Sequence, residues 1–139
     1  MHNNILPKYF LFVDQYNKEN FKNYKANLGI IYRNYSKSQN KKDILNIKLH
    51  CKKKGFKFYV SNNLRLAIAL QSDGIYIPAF NKKLIINKSN LKRKFHIIGS
   101  AHNQTQIRRK KEQGCEAIFL SPLFKIKKNK NKLGICKFN

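Results

Sequence analysis

Six short apolar runs recur along this chain with polar, helix-compatible stretches between them. That alternation limits the fold more than any single motif. The runs are YFLFVD (Tyr9 to Asp14), LGIIYR (Leu28 to Arg33), FKFYVSN (Phe56 to Asn62), GIYIP (Gly74 to Pro78), FHIIGSAH (Phe95 to His102) and AIFLSP (Ala117 to Pro122). Each is strand-length and rich in aromatic or β-branched residues, the pattern of a strand buried on both faces. Successive runs begin roughly 20 residues apart, enough for a crossover back to the same end of a sheet. Strand, crossover and strand in repetition predict parallel pairing and an α/β fold.

The intervening stretches support this. From Lys41 to Lys54, Ile44, Leu45, Ile47, Leu49 and Cys51 fall near helical spacing, and Gly55 stands where a helix would end. Leu64 to Ser72 predicts a short helix capped by Asn62 or Asn63. Asn103 to Gln113 predicts a basic helix closed by Gly114. Gln15 to Asn27 is polar and helix-permissive, and Ala79 to Lys94 fits no pattern well.

Such repetition is naturally solved by a TIM-type (β/α)8 barrel, which needs roughly 200 to 250 residues. The chain has 139 residues and about six β/α units. It therefore predicts one domain over residues 1–139, an incomplete barrel truncated before strands seven and eight. Open parallel edges on that barrel predict self-association.

Composition sets the surroundings. No apolar run approaches the roughly 20 residues of a membrane span, and MHNNILPKYF lacks the pattern of a secretion signal. Cys51, Cys115 and Cys136 are odd in number and far apart, with no metal-ligand spacing. They read as reduced thiols of a cytoplasmic protein. Thirty Lys+Arg against six Asp+Glu leave a net charge of +24. The lysines are spread along a chain also rich in Asn and Ile, which reads as compositional drift, with no specific nucleic-acid partner. Non-specific attraction to polyanions at low salt follows regardless.

Read in order, YFLFVD, IIYRNY, VSNNLRLA, SDGIYIP, IIGSAH, GCEAIFLSPLF and the late LG pair resemble the thiamine-phosphate synthase and thiazole tautomerase family. The resemblance covers nearly the whole chain. It implies a compact parallel barrel that joins a hydroxymethyl-pyrimidine diphosphate to a thiazole phosphate. In that reaction diphosphate leaves, a pyrimidine cation forms and the thiazole nitrogen attacks it. The leaving diphosphate needs cations, namely magnesium held by carboxylates together with Lys and Arg.

The resemblance assigns residues one by one. Arg33 matches the arginine ending the second strand, whereas the lysine two residues on is replaced by Tyr35. Ser61 stands where the family has an asparagine. Asn62 stands at a metal-binding aspartate, and Asn81 in AFNKKL falls near the second metal carboxylate. An amide can donate an oxygen but brings no charge. Ser100 matches the serine of the fifth-strand motif, and Lys127 and Lys130 in the loop after the sixth strand are placed to reach a diphosphate. His102 ends the fifth strand, where the tautomerase branch uses a histidine for proton transfer. His96, His50 and His2 read as structural or exposed, and Asp73 as a turn residue.

With these departures the expected coupling activity is weak or absent. Two other readings stay open at this stage. One is a metal-independent, tautomerase-like enzyme that works through His102. The other is a basic, non-enzymatic binding protein.

Overall fold

The computed structural model describes residues 5–25, 27–36, 39–87, 89, 91, 92 and 94–121, and the backbone of residues 134–137. The chain divides into two compact units, Met1–Ile75 and Tyr76–Asn139. Strands β1 (Tyr9–Val13), β2 (Leu28–Tyr32) and β3 (Lys57–Ser61) belong to the first unit. Strand β4 (Gly74–Ile77) carries the boundary, and β5 (His96–Ala101), β6 (Ala117–Leu120) and β7 (Gly134–Lys137) belong to the second. Helices α1 (Lys41–Lys54), α2 (Leu64–Ala69) and α3 (Gln104–Glu112) lie between strands, as expected for an α/β chain. Neighbouring strands are neighbours in sequence. The fold is a TIM-type barrel architecture, incomplete at about six parallel strands.

In the first unit β1 pairs with β2, and β2 with β3, all in parallel. Ile30, Ile31, Tyr59 and Val60 are at most 1% exposed, and Ile47 of α1 is fully buried in the same unit. Strands this apolar on successive residues have no polar face to give to water. Helix α1 starts on Asn40, whose side chain accepts from the N–H groups of Lys42 and Asp43. It ends on Gly55, whose left-handed backbone (φ 75°) is the conformation glycine adopts without strain. Its buried stripe is Ile44, Ile47 and Cys51, while Leu45 and Leu49 face solvent. Asn63 caps α2 by accepting from Leu66 N–H at 3.0 Å.

The polar stretch after β1 does not form a full helix. It makes one 3-10 turn, Lys18–Phe21, capped by Asn17. Asp73 acts as a turn residue: its Oδ2 accepts from the Phe58 N–H, and its own N–H donates to the Phe58 carbonyl, both at 2.8 Å.

In the second unit β5 and β6 are parallel, and β7 adds to β6 in the antiparallel sense. The sequence assigned no element to the residues of β7 and expected the β6 edge to be open. Backbone pairing from Leu120↔Gly134 to Ala117↔Lys137 covers that edge instead. Asn103 caps α3 by accepting from Gln106 N–H. The described residues from Ala79 to Lys94 contain no α-helix. They are held by Lys110 and Gln113 of the α3 end: Lys110 Nζ donates to the Asn81 carbonyl at 2.9 Å, and Gln113 Nε2 donates to the Asn81 and Leu84 carbonyls at 3.0 and 2.9 Å. No described helix is long and apolar enough to cross a membrane.

Candidate functional site

Parallel pairing places the carboxyl ends of β1, β2 and β3 on one side of the first unit. The register Val13↔Tyr32↔Val60 brings Asp14, Arg33 and Ser61 to the same next level. Val13, Tyr32 and Val60 are buried, so the chain leaves the core at this level. Arg33 N–H donates to the Val13 carbonyl at 2.8 Å, which continues the ladder by one residue. Its guanidinium lies over the Phe12 ring at 4.2 Å from the centroid. A cation held on an aromatic face is positioned without losing its charge to a carboxylate. Arg33 is exposed at this end.

The next two strand-end positions carry amides and hydroxyls. Asn34 Nδ2 donates to the Asp14 carbonyl at 3.1 Å. The Tyr35 and Ser61 hydroxyls are 2.8 Å apart, although Tyr35 carried no expected role beyond replacing a lysine. Asn62 holds a left-handed backbone (φ 57°), which asparagine tolerates better than most residues.

In the second unit, Ser100 is 8% exposed. Its oxygen accepts from the Tyr76 hydroxyl at 2.8 Å and from the Ala79 N–H at 3.0 Å. His102 follows the last residue of β5, and its Nδ1 is hydrogen-bonded to the Ser121 carbonyl. A carbonyl can only accept, so Nδ1 carries the hydrogen and, in the neutral ring, Nε2 keeps its lone pair. The His102 N–H donates to Gln106 Oε1 at 2.7 Å, which fixes the start of α3 beneath it.

Other titratable groups have structural surroundings. His96 is buried and paired with Glu116 at 3.0 Å. Cys51 and Cys115 are free and buried, and burial pushes both thiols up to about 12. Lys110, in a basic run, is fully buried, and burial lowers its pKa below the usual lysine value. Its Nζ also donates to Gln113 Oε1 at 2.6 Å.

Of the residues expected at a site, Arg33, Ser61 and Asn62 thus cluster at strand ends of the first unit, and Ser100 and His102 at strand ends of the second. Lys127 and Lys130 lie outside the described residues. The sequence reading missed Tyr76, Lys110 and Gln113. Nothing in their local patterns marks them, because their importance comes from acceptors that are distant in sequence. At the positions expected to hold a metal, Asn62 and Asn81 are neutral. The Asn81 side-chain oxygen already accepts from the N–H groups of Lys83 and Leu84 at 3.1 and 3.0 Å. Among the described residues no group of three or more His, Cys, Asp or Glu gathers in a way that could hold a metal ion.

Comparison with known proteins adds the wider frame. Residues 26–138 match the family model described as thiamine monophosphate synthase. A curated protein named thiamine-phosphate synthase, from Prochlorococcus marinus subsp. pastoris, is 33% identical over 95 residues. Those residues are 67% of this chain and 27% of that protein, so the matched part spans about a quarter of the relative's length. The match runs from before β2 past β7 and contains Arg33, Ser61, Ser100 and His102. On this evidence the chain belongs to the thiamine monophosphate synthase family.

Proposed function

We propose that this chain is a divergent thiamine-phosphate-synthase-type domain of thiamine biosynthesis, which takes a phosphorylated pyrimidine and a phosphorylated thiazole and couples them weakly or not at all as it stands. The observation that carries the reading is the strand-end level of the first unit. There the exposed Arg33 guanidinium is held on Phe12, beside neutral Ser61 and Asn62. In this reading Arg33 binds the leaving diphosphate, and Ser61 and Ser100 orient substrate oxygens. Lys127 and Lys130 add cations where diphosphate charge develops. Magnesium, which the family reaction uses, does not fit the donor set. Asn62 and Asn81 bring no charge to a hard divalent cation, and the Asn81 oxygen is already engaged. A cytoplasmic location belongs to the same reading, in keeping with the free thiols of Cys51 and Cys115.

A second reading is favoured by one observation, the tautomer of His102. With Nδ1–H given to Ser121, Nε2 is left as a base able to move a proton on a thiazole phosphate carboxylate without a metal.

The test is an assay of the full chain with both coupling substrates, beside the Prochlorococcus protein. Slow coupling that falls on the order of tenfold in Arg33→Ala supports the first reading. Coupling as fast as the relative's contradicts the weak activity, and failure to bind either substrate removes the function. For the second reading, His102→Asn should abolish isomerisation of the thiazole phosphate carboxylate. An unchanged rate in that variant rejects it.

A further inference from the structure

The first unit has a concave, charged feature at the opposite end of β3 from Ser61. It is a cleft of about 360 Å3 where the last turns of α1 meet the start of β3. Lys48, Lys52 and Lys57 line it, and Asp73 is the one acidic residue among its lining residues. Lys57 begins β3 and Ser61 ends it, so roughly 13 Å of strand separates this cleft from the site above.

Three observations distinguish the cleft from an ordinary lysine-covered surface. Among the described residues, none of the three lysines is paired with a carboxylate. Lys48 and Lys57 are half-buried, as when a lysine stem lies along the protein surface. Asp73 makes no ion pair with them among the described residues, and its Oδ2 accepts from the Phe58 N–H at 2.8 Å. A cleft lined by one sign of charge and backed by low-dielectric wall focuses its field outward and concentrates counter-ions. Here the wall is apolar: Phe56, Phe58 and Cys51 are all at most 5% exposed. At the rim, Gln71 holds a left-handed backbone (φ 52°), which non-glycine residues keep only where their surroundings impose it.

We propose that this cleft is an anion-binding site for a small organic phosphate of nucleotide size. Its volume lies at the small end of ligand pockets, about 300 to 1,000 Å3. Three lysines lining one cleft suit two or more phosphate groups. The second oxygen of Asp73 accepts a hydroxyl or amine of the organic part, and the Phe56 side packs against its apolar face. An inorganic anion would use the lysines and leave that carboxylate opposed to it.

The site is tested on the full chain at physiological salt, by titrating adenosine triphosphate and, separately, inorganic pyrophosphate, with calorimetric readout. The triple variant Lys48→Gln, Lys52→Gln, Lys57→Gln is compared with Lys25→Gln, Lys82→Gln, Lys83→Gln, which removes the same charge from exposed positions elsewhere. Saturable binding of adenosine triphosphate, tighter than pyrophosphate, is expected. It should weaken on the order of tenfold or more in the cleft variant and little in the control. Lys52→Glu, at an exposed position, gives the same direction of change should the triple variant not fold. Equal weakening by both triples would show diffuse charge and overturn the proposal. So would the absence of saturable binding, a preference for single-stranded RNA over the nucleotide, or loss of binding in Arg33→Ala. The last outcome also separates this site from the coupling site, since adenosine triphosphate is not a coupling substrate.

Discussion

The hydroxyl of Tyr35 lies 2.8 Å from the hydroxyl of Ser61, so the segment that follows β2 is tied to the last residue of β3. Ser61 is almost buried, whereas Tyr35 is half-exposed at 53%. The bond therefore spans the border between the core and the strand-end surface. A double-mutant cycle with Tyr35→Phe and Ser61→Ala should show a coupling of about 0.5–1.5 kcal/mol in denaturant unfolding, the usual net worth of such a bond. Strict additivity of the two substitutions would mean that the hydroxyls do not interact.

Gly99 of β5 allows a close approach that no side chain can share. A Cβ built there would lie 2.8 Å from the Ile77 carbonyl oxygen, 2.8 Å from Lys110 Cδ and 2.9 Å from Cys115 Sγ. The carbonyl belongs to backbone, and the lysine stem is anchored through Nζ, so neither yields cheaply. Gly99→Ala should cost about 1–3 kcal/mol through overpacking, read as a lowered melting temperature. An unchanged melt would show that Lys110 can be displaced without loss.

His50 of α1 packs on the Phe21 ring at 4.8 Å between centroids, and its Nδ1 is 3.3 Å from the Tyr16 hydroxyl. Its Nε2 is buried without a partner among the described residues. Burial first, then the charges of Lys54, Lys53 and Lys18, hold its pKa below the ordinary 6.5. As pH falls, the unfolded chain therefore takes up this proton before the folded one does. The group's contribution is fully present above about 6.5 and is lost as pH falls from there through the lowered folded value. The stability advantage of the native chain over His50→Gln should shrink across that window. Parallel stability–pH curves for the two proteins would contradict it.

The edge at β1 remains a route to association. β1 ends the strand order, and Tyr9, its first residue, is 67% exposed. An apolar strand at the end of a sheet is a template for another chain. Sedimentation should show association that grows with concentration and falls in Tyr9→Lys, because a charged edge residue disfavours strand addition. A monomer at every concentration would exclude the β1 edge as an interface.

The strands and two of the helix starts were legible from local chemistry. Apolar runs marked β1 to β6, Gly55 marked the end of α1, and Asn103 marked the start of α3, while the cap of α2 was narrowed to Asn62 or Asn63 and is Asn63, because these depend on neighbours a few residues away. The ordered motifs were enough to identify the family, and Arg33, Ser61, Ser100 and His102 were found at strand ends where the motifs placed them. What the local pattern could not contain was decided by partners far along the chain. Gln15 to Asn27 looked helix-permissive, yet Tyr16 N–H is given to the Asp43 carboxylate and the segment docks on His50. RRKK looked like a solvated basic run. Lys110 within it is nevertheless buried, because the Asn81 carbonyl and Gln113 Oε1 replace the water its ammonium would need. Sequence by itself determined the alternation, the parallel pairing and the family. Tertiary structure alone decided which polar groups meet, because a buried donor takes whatever acceptor the packed chain leaves unpaired.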